Sequence, residues 1–164
     1  MTVNPIDLVK VGFSTNLTSP VSSVIRHSTG KPYSHVWLLY FDQTLEQMMV
    51  LEAGAAGLYH TPFKRFVQHN HVVLVLDPKV PLLPGLRRLS QEVGEKYDHL
   101  GLVGMAWVVA CEWAKVQATN PFRSAKGRFC SEAVGVCMVW SGHPGTEGWD
   151  VQSISPSRIE GVLS

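Results

Sequence analysis

The stretch YSHVWLLYFDQTLEQMMVLEAG, residues 33–54, contains two apolar runs separated by a largely polar segment from Asp42 to Gln47. Apolar runs of this length, rich in aromatic and branched residues and divided by turn-forming residues, predict a β-hairpin. His35 lies in the first predicted strand and Glu52 in the second. Because the strands of a hairpin pair side by side, we expect the His35 imidazole and the Glu52 carboxylate to lie near each other.

The other strand signals flank this hairpin. IDLVKVGFS (6–14) predicts a buried strand, and HVVLVLD (71–77) predicts a strand too apolar on both faces to be an exposed edge. GLYHTPFKRF (57–66) is ambiguous between strand and helix. Strand signals therefore concentrate in the first half of the chain and indicate a sheet that helices partly cover.

Helix signals dominate the second half of the chain. In the first half, Ser19-Pro20 predicts the start of one short helix, which Gly30 ends. Apolar periodicity then predicts helices in LRRLSQEVGEKY (86–97), GLVGMAWVVACEWAKVQA (101–118) and CSEAVGVCMVWSG (130–142), and ISPSRIEGVL (154–163) predicts a last helical turn. The sequence contains no internal repeat or evident linker. It therefore predicts a single α+β domain over residues 1–164.

Composition excludes several classes of function. The 14 Lys and Arg residues against 13 Asp and Glu residues give a formal charge of +1, without a basic block. Nucleic-acid binding needs clustered positive charge, so a nucleic acid is a poor candidate partner. A chain of 164 residues buries enough surface to fold without disulfide or metal cross-links, so we expect no cofactor or metal to be needed for stability. The three cysteines, an odd number, favour reduced thiols over a disulfide framework.

Two further features bear on location. The amino-terminal MTVNPIDLVK lacks the apolar core of a secretory signal, so we expect a cytoplasmic protein. The apolar stretch 100–111 is followed by Glu112 and is shorter than the ~18–20 residues that a membrane span needs. We interpret this stretch as a buried helix and predict no transmembrane segment.

Cys130 is the candidate nucleophile. It lies at the predicted start of a helix, just after Lys126 and Arg128. The positive end of the helix dipole and nearby cations favour thiolate over thiol, so this cysteine can have a lowered pKa. The alternative is a small buried apolar side chain, which is the interpretation for Cys111. Cys137 follows seven positions later on the same predicted helix, about 10 Å away along the axis, which is too far for a disulfide.

A cysteine nucleophile needs a partner that takes up and returns a proton, and histidine is the usual choice. His35 follows a turn-like segment and opens a predicted strand, a position from which a side chain can project into a cleft. Glu52 could orient that imidazole and stabilise its charge. A packed or solvated histidine is the alternative for His35.

His69 and His71 form a rival cluster. At positions i and i+2 of an extended segment they would share one face and could offer two metal ligands. No Cys-x-x-Cys, His-Glu-x-x-His or carboxylate at ligand spacing accompanies them, so solvated histidines at a strand edge are the preferred interpretation. No nucleophile-elbow motif and no phosphate-binding glycine loop is present either.

Three stretches of the chain resemble one family: STGKPYSHVWLLY with the following VLEAG, GEKYDHLGLVG, and RFCSEAV with the later ISPSRI. They resemble the circularly permuted branch of the NlpC-like papain-fold cysteine peptidases and amidases, as in YiiX- and YycO-like proteins. In unpermuted members a Gly-x-x-Tyr segment precedes the Cys-Ser helix, and the histidine strand follows. Here Gly94 and Tyr97 precede Cys130, and the histidine strand comes first, as permutation predicts.

The resemblance implies a fold, a site and an activity. The fold would be papain-like, with an antiparallel sheet packed against helices and the nucleophile at a helix N-terminus. Cys130 would be the nucleophile, His35 the general base and Glu52 the residue that orients His35, with Tyr97 in a supporting role. The activity would be hydrolysis of an amide bond in a peptide or a peptidoglycan-stem peptide through an acyl-enzyme, without a cofactor or a metal.

Two alternatives remain open. Permuted relatives include acyltransferases, so the same residues could act on a lipid or acyl substrate that the apolar 100–111 segment contacts. The chain could also be a catalytically idle papain-like binding module. A hydrolase without an export signal or a wall-binding repeat could reach a cell wall if it is phage-encoded or delivered by another route. The sequence predicts no oligomeric state.

Overall fold

The computed structural model describes residues 8–54, 57–94 and 129–164. The strands of these ranges are β1 (Lys10–Thr15), β2 (His35–Asp42), β3 (Gln47–Gly54), β4 (Gly57–Pro62) and β5 (His71–Leu76). The helices are α1 (Pro20–Thr29), α2 (Phe63–Phe66), α3 (Leu83–Leu89), α4 (Cys130–Trp140) and α5 (Pro156–Leu163), with 3-10 turns at Ser90–Glu92 and Val151–Ser153.

Within the described ranges the five strands form one antiparallel sheet in the order β4-β3-β2-β1-β5. The predicted hairpin is present, since β2 and β3 pair from Leu38 opposite Leu51 to Asp42 opposite Gln47. The Asp42 carboxylate accepts two backbone N–H groups of the connecting turn, each at 2.9 Å. The α+β prediction is confirmed by this sheet and its surrounding helices.

Two strand predictions change. HVVLVLD forms β5, which lies at one edge of the sheet among the described strands, so the prediction that it is not an edge was wrong. Val72 packs against an apolar cluster on one face, while Leu74 and Leu76 pack against the main core on the other. Val75 of the same strand is 37% exposed, so this apolar run indicates neither that both faces are covered nor that both edges of the strand carry a hydrogen-bonded neighbour. The ambiguous GLYHTPFKRF divides at Pro62 into β4 and α2.

The main core lies between the sheet and α4. Phe13, Val36 and Leu51 project from the sheet into the same buried cluster as Val134 and Met138 of α4. Strand residues alternate between faces, and helical positions of α4 from Ser131 to Met138 are all buried. The helix that begins at Cys130 is therefore held firmly against the strands.

A smaller apolar cluster lies on the opposite face of the sheet. Trp37, Leu39 and Val50 pack there against Phe66 of α2. The Trp37 indole lies directly over Gly12 of β1, where a Cβ atom would come within 2.3 Å of the ring. Glycine at position 12 is therefore required by this close approach.

The predicted helix boundaries agree with the structure where a capping residue marks them and differ from it elsewhere. Ser19 caps α1 by accepting the Ser22 N–H at 3.3 Å, and Gly30 ends it with a φ of 64°. The helix predicted over 86–97 instead runs from Leu83 to Leu89 and continues as a 3-10 turn. The helix predicted over 101–118 lies outside the described residues.

Candidate active site

Cys130 is the first residue of α4, as predicted, and its thiol is partly buried. Burial raises the pKa of this thiol. A hydrogen bond and the positive charge from His35, with the backbone N–H groups of Val36 and Ser131, oppose burial and hold the pKa below its ordinary value. The chemical result is a stabilised thiolate. Lys126 and Arg128, which the sequence placed near this thiol, lie outside the described residues.

The Val36 N–H reaches the thiol because β2 and β3 separate at this end of the sheet. Their pairing ends at Leu38 opposite Leu51, whereas the pairing of β1 with β2 continues to Ser14 opposite His35. Among the described strands, the first three residues of β2 therefore have no pairing partner on the β3 side, and we call this gap in the pairing the opening. The Cys130 thiol accepts the N–H that points into this opening.

His35 connects the thiol to a carboxylate. Its Nε2–H donates to the Glu52 carboxylate at 2.9 Å, which leaves Nδ1 for the hydrogen bond with Cys130. Burial lowers the pKa of His35. Hydrogen bonds to Cys130 and Glu52, together with their negative charges, outweigh burial and raise this pKa to about 10. Opposite shifts at Cys130 and His35 favour a thiolate–imidazolium pair near neutral pH.

Glu52 is held at a fixed position on β3. It is only 7% exposed, and its second oxygen accepts the hydroxyl of Thr61 on β4 at 3.1 Å. Both carboxylate oxygens therefore have a donor, which reduces the cost of burying the charge. Sequence reasoning missed Thr61, because only a strand assignment for 57–62 would have set it beside β3.

The loop ahead of His35 is anchored by a residue near the carboxyl end of the chain. Glu160 of α5 accepts the hydroxyl of the buried Tyr33 at 2.6 Å and forms an ion pair with Lys31. The Ser34 N–H donates to the Ser14 carbonyl at 3.0 Å. These bonds fix the backbone that leads into the imidazole. No local pattern in the sequence points to Glu160, since its partners lie more than a hundred positions away.

Of the other cysteines and the tyrosine singled out in the sequence, only Cys137 belongs to the described residues, and it does not join this site. Cys137 is fully buried and free, and burial raises the pKa of its thiol to about 12. Its sulfur donates weakly to the Leu82 carbonyl at 3.7 Å. The predictions for Tyr97, Cys111 and the 100–111 segment lie outside the described residues.

The remaining histidines have separate environments. His69 and His71 are exposed around the start of β5, and no group of three or more metal-ligating side chains is found among the described residues. His60 shares a hydrogen bond of 2.7 Å with Tyr40. His143 is buried and accepts the Lys79 N–H at 3.1 Å, so it supports a turn.

Comparisons with known proteins add no family assignment. No protein-family model matches the chain, and no curated protein matches it. Membership of the papain-like family therefore stays a prediction, and the function is inferred from the site itself. Across the described ranges, none of the helices has both the length and the apolar character needed to cross a bilayer.

Proposed function

We propose that the protein is a cysteine hydrolase of amide or related acyl bonds. Cys130 is the nucleophile, His35 the general acid and base, and Glu52 the residue that orients the imidazole. The observation that carries the proposal is the continuous hydrogen-bonded chain from the thiol through His35 to Glu52. It joins three separate elements, α4, β2 and β3, in the order that nucleophilic catalysis requires.

The proposed reaction proceeds in two stages. The Cys130 thiolate adds to the carbonyl carbon, and His35 gives its proton to the leaving group as the carbon–leaving-group bond breaks. Water then attacks the thioester, His35 takes a proton from it, and the acid is released as the carbon–sulfur bond breaks. Glu52 keeps the ring oriented and stabilises the imidazolium throughout.

The electrostatics weigh against an idle binding module. A scaffold kept only for packing has no need of a thiol with a lowered pKa, and desolvation alone would raise it. Cys137 provides the contrast within the same helix, since burial raises the pKa of its thiol to about 12. The difference between the two cysteines supports a chemical role for Cys130.

The proposed substrate is a peptide or a peptidoglycan-stem peptide. This class comes from the family resemblance. An open cleft of about 560 Å³ lies between the loop that joins β1 to α1 and the start of β5. The lining, Asn16–Thr18 and Val67–Val72, contains no Asp, Glu, Lys or Arg. Cys130, His35 and Glu52 do not line this cleft, so it is separate from the proposed catalytic residues.

Alkylation of the two described cysteines in one sample tests the proposal. Iodoacetamide labelling followed by peptide mapping should modify Cys130 at a pH below the ordinary thiol range and leave Cys137 unmodified in the folded protein. His35→Ala should abolish the labelling of Cys130 at this lower pH. Equal, slow labelling of both thiols in the wild type would contradict the proposal.

A substrate screen separates the proposed activity from the acyl-directed alternative. Peptidoglycan-stem peptides and lipid micelles are incubated with the wild type and with Cys130→Ala, and products are identified by mass spectrometry. Cleavage of the stem peptides that depends on Cys130 supports the proposed class. Turnover of the lipid ester alone would replace the peptide substrate with an acyl one while keeping the same mechanism.

A further inference from the structure

Tyr59 lies beside Glu52 and takes part in none of the hydrogen bonds that join Cys130, His35, Glu52 and Thr61. It is the β4 residue directly opposite Glu52 in the sheet, so the two side chains share a face. Its ring is half-buried. A Cβ atom at Gly54 would lie 2.6 Å from the Tyr59 hydroxyl oxygen. The Tyr59 side chain therefore extends along the sheet from the position of Glu52 to that of Gly54, the last residue of β3.

This end of β3 borders the opening that holds the thiol. The pairing of β2 with β3 ends at Leu38 opposite Leu51, and three residues beyond that point the two strands reach His35 and Gly54, on either side of the opening. The hydroxyl over Gly54 and the imidazole of His35 thus stand on opposite sides of the same opening. A substrate carbonyl that approaches Cys130 from there passes between them.

The chemistry of the hydroxyl suits a donor to substrate. Among the described residues it makes no hydrogen bond, so its proton is available. Burial, reinforced by the charge of Glu52, raises the pKa of Tyr59, which keeps the phenol protonated at any pH where the thiolate forms. A neutral donor placed where negative charge develops stabilises the transition state.

We propose that Tyr59 is a catalytic residue of this site, whose hydroxyl donates a hydrogen bond to the acyl oxygen while Cys130 adds to the carbonyl carbon. This inference rests on the proposed function. As the carbon–sulfur bond forms, the π electrons of the carbonyl move to oxygen, and the hydroxyl stabilises that oxyanion without giving up its proton. When the oxyanion collapses, the electron pair returns and the leaving group departs.

The first test compares two reactions of the same thiol. Acylation by p-nitrophenyl acetate passes through an oxyanion, whereas alkylation by iodoacetamide does not. Tyr59→Phe should lower the acylation rate constant on the order of 100-fold and leave the rate and pH profile of alkylation unchanged. Tyr40→Phe is the matched control, because its hydroxyl is also half-buried but projects from the opposite face of the sheet and bonds to His60. It should acylate like the wild type.

The second test displaces the hydroxyl without removing it. In Gly54→Ala the new methyl occupies the position of the hydroxyl, so the flexible phenol must move and acylation should fall by at least tenfold. Gly161→Ala, where a Cβ meets no atom within 4 Å, is the control glycine. The double variant Gly54→Ala with Tyr59→Phe should acylate no more slowly than the slower single variant, because both changes remove one interaction. Thermal unfolding verifies that each variant is folded.

The outcomes separate this inference from the proposed function. A wild type that acylates at Cys130, with Tyr59→Phe and Gly54→Ala equally fast, overturns the role of Tyr59 and leaves the hydrolase proposal standing. Equal losses of acylation and alkylation in Tyr59→Phe also overturn it, because they indicate a disturbed thiolate. A wild type that never acylates overturns the proposed function and, with it, the role of Tyr59.

Discussion

Glu52→Gln tests how far one buried carboxylate sets the protonation of His35. Glutamine has nearly the same size and still offers an oxygen to the imidazole Nε2–H, so the substitution removes the charge and little else. The carboxylate accepts this hydrogen bond at 2.9 Å while its side chain is only 8% exposed. Little solvent therefore screens the interaction between the two side chains, so removing the charge of Glu52 should change the pKa of His35 with little attenuation.

The expected magnitude follows from the change in one hydrogen bond. A bond to a charged group contributes about 1.5–3 kcal/mol and a neutral one about 0.5–1.5 kcal/mol, so the midpoints of these ranges differ by about 1.25 kcal/mol. Since about 1.4 kcal/mol corresponds to one pKa unit, the pKa of His35 should fall from about 10 to about 9. A less stable imidazolium also stabilises the thiolate less, so the pKa of Cys130 should rise.

The assay is the pH profile of acylation by p-nitrophenyl acetate, corrected with Cys130→Ala. The acidic limb reports loss of the Cys130 proton and the alkaline limb reports loss of the His35 proton. In Glu52→Gln the alkaline limb should move down by about one pH unit and the acidic limb should move up, so that the profile narrows from both sides.

Glu46→Gln is the matched control for this profile. Glu46 is exposed and lies in the turn between β2 and β3, at the end of the hairpin away from His35. Its substitution removes the same charge and should leave both limbs in place. A wild-type alkaline limb in Glu52→Gln, or an equal shift of the limbs in Glu46→Gln, would show that the Glu52 charge does not set the pKa of His35.

Three further changes test the surroundings of the site. Gly12→Ala forces a methyl into the Trp37 ring and should cost about 1–3 kcal/mol of unfolding free energy in urea titrations, whereas Gly161→Ala should cost nothing measurable. Thr61→Val removes a donor to the Glu52 carboxylate and should cost about 1–3 kcal/mol by the same measurement; a neutral result would mean that water replaces the hydroxyl. Glu160→Ala should lower the acylation rate with KM for the ester unchanged, and Glu160→Gln, which still accepts a hydrogen bond, should restore part of it.

The sequence determined the features that depend on neighbours along the chain. The hairpin of β2 and β3 follows from two apolar runs and one turn, and the cap of α1 follows from Ser19, Pro20 and Gly30. The start of α4 at Cys130 was likewise predictable from the local sequence. Because the hairpin pairs nearby segments, the proximity of His35 to Glu52 was predictable, and the hydrogen bond between them agrees with it.

Contacts between segments that are far apart in the chain could not be predicted from the local sequence. Nothing local indicates that β5 pairs with β1 at the sheet edge, that β4 sets Thr61 beside Glu52, or that Glu160 holds the loop before His35. Each contact depends on where a strand or helix packs, and packing is decided by the whole core. The apolar run of β5 has the same composition whether it lies at the centre or at the edge.

The candidate site shows the same division. The sequence identified a cysteine, a histidine and a carboxylate of suitable chemistry, because their types and local positions are visible in the chain. Only the tertiary structure decided that the thiol meets the imidazole, since Cys130 and His35 are brought together by the packing of α4 against the sheet and by the separation of β2 from β3. Their opposite pKa shifts arise from that contact and from burial, neither of which exists in the unfolded chain.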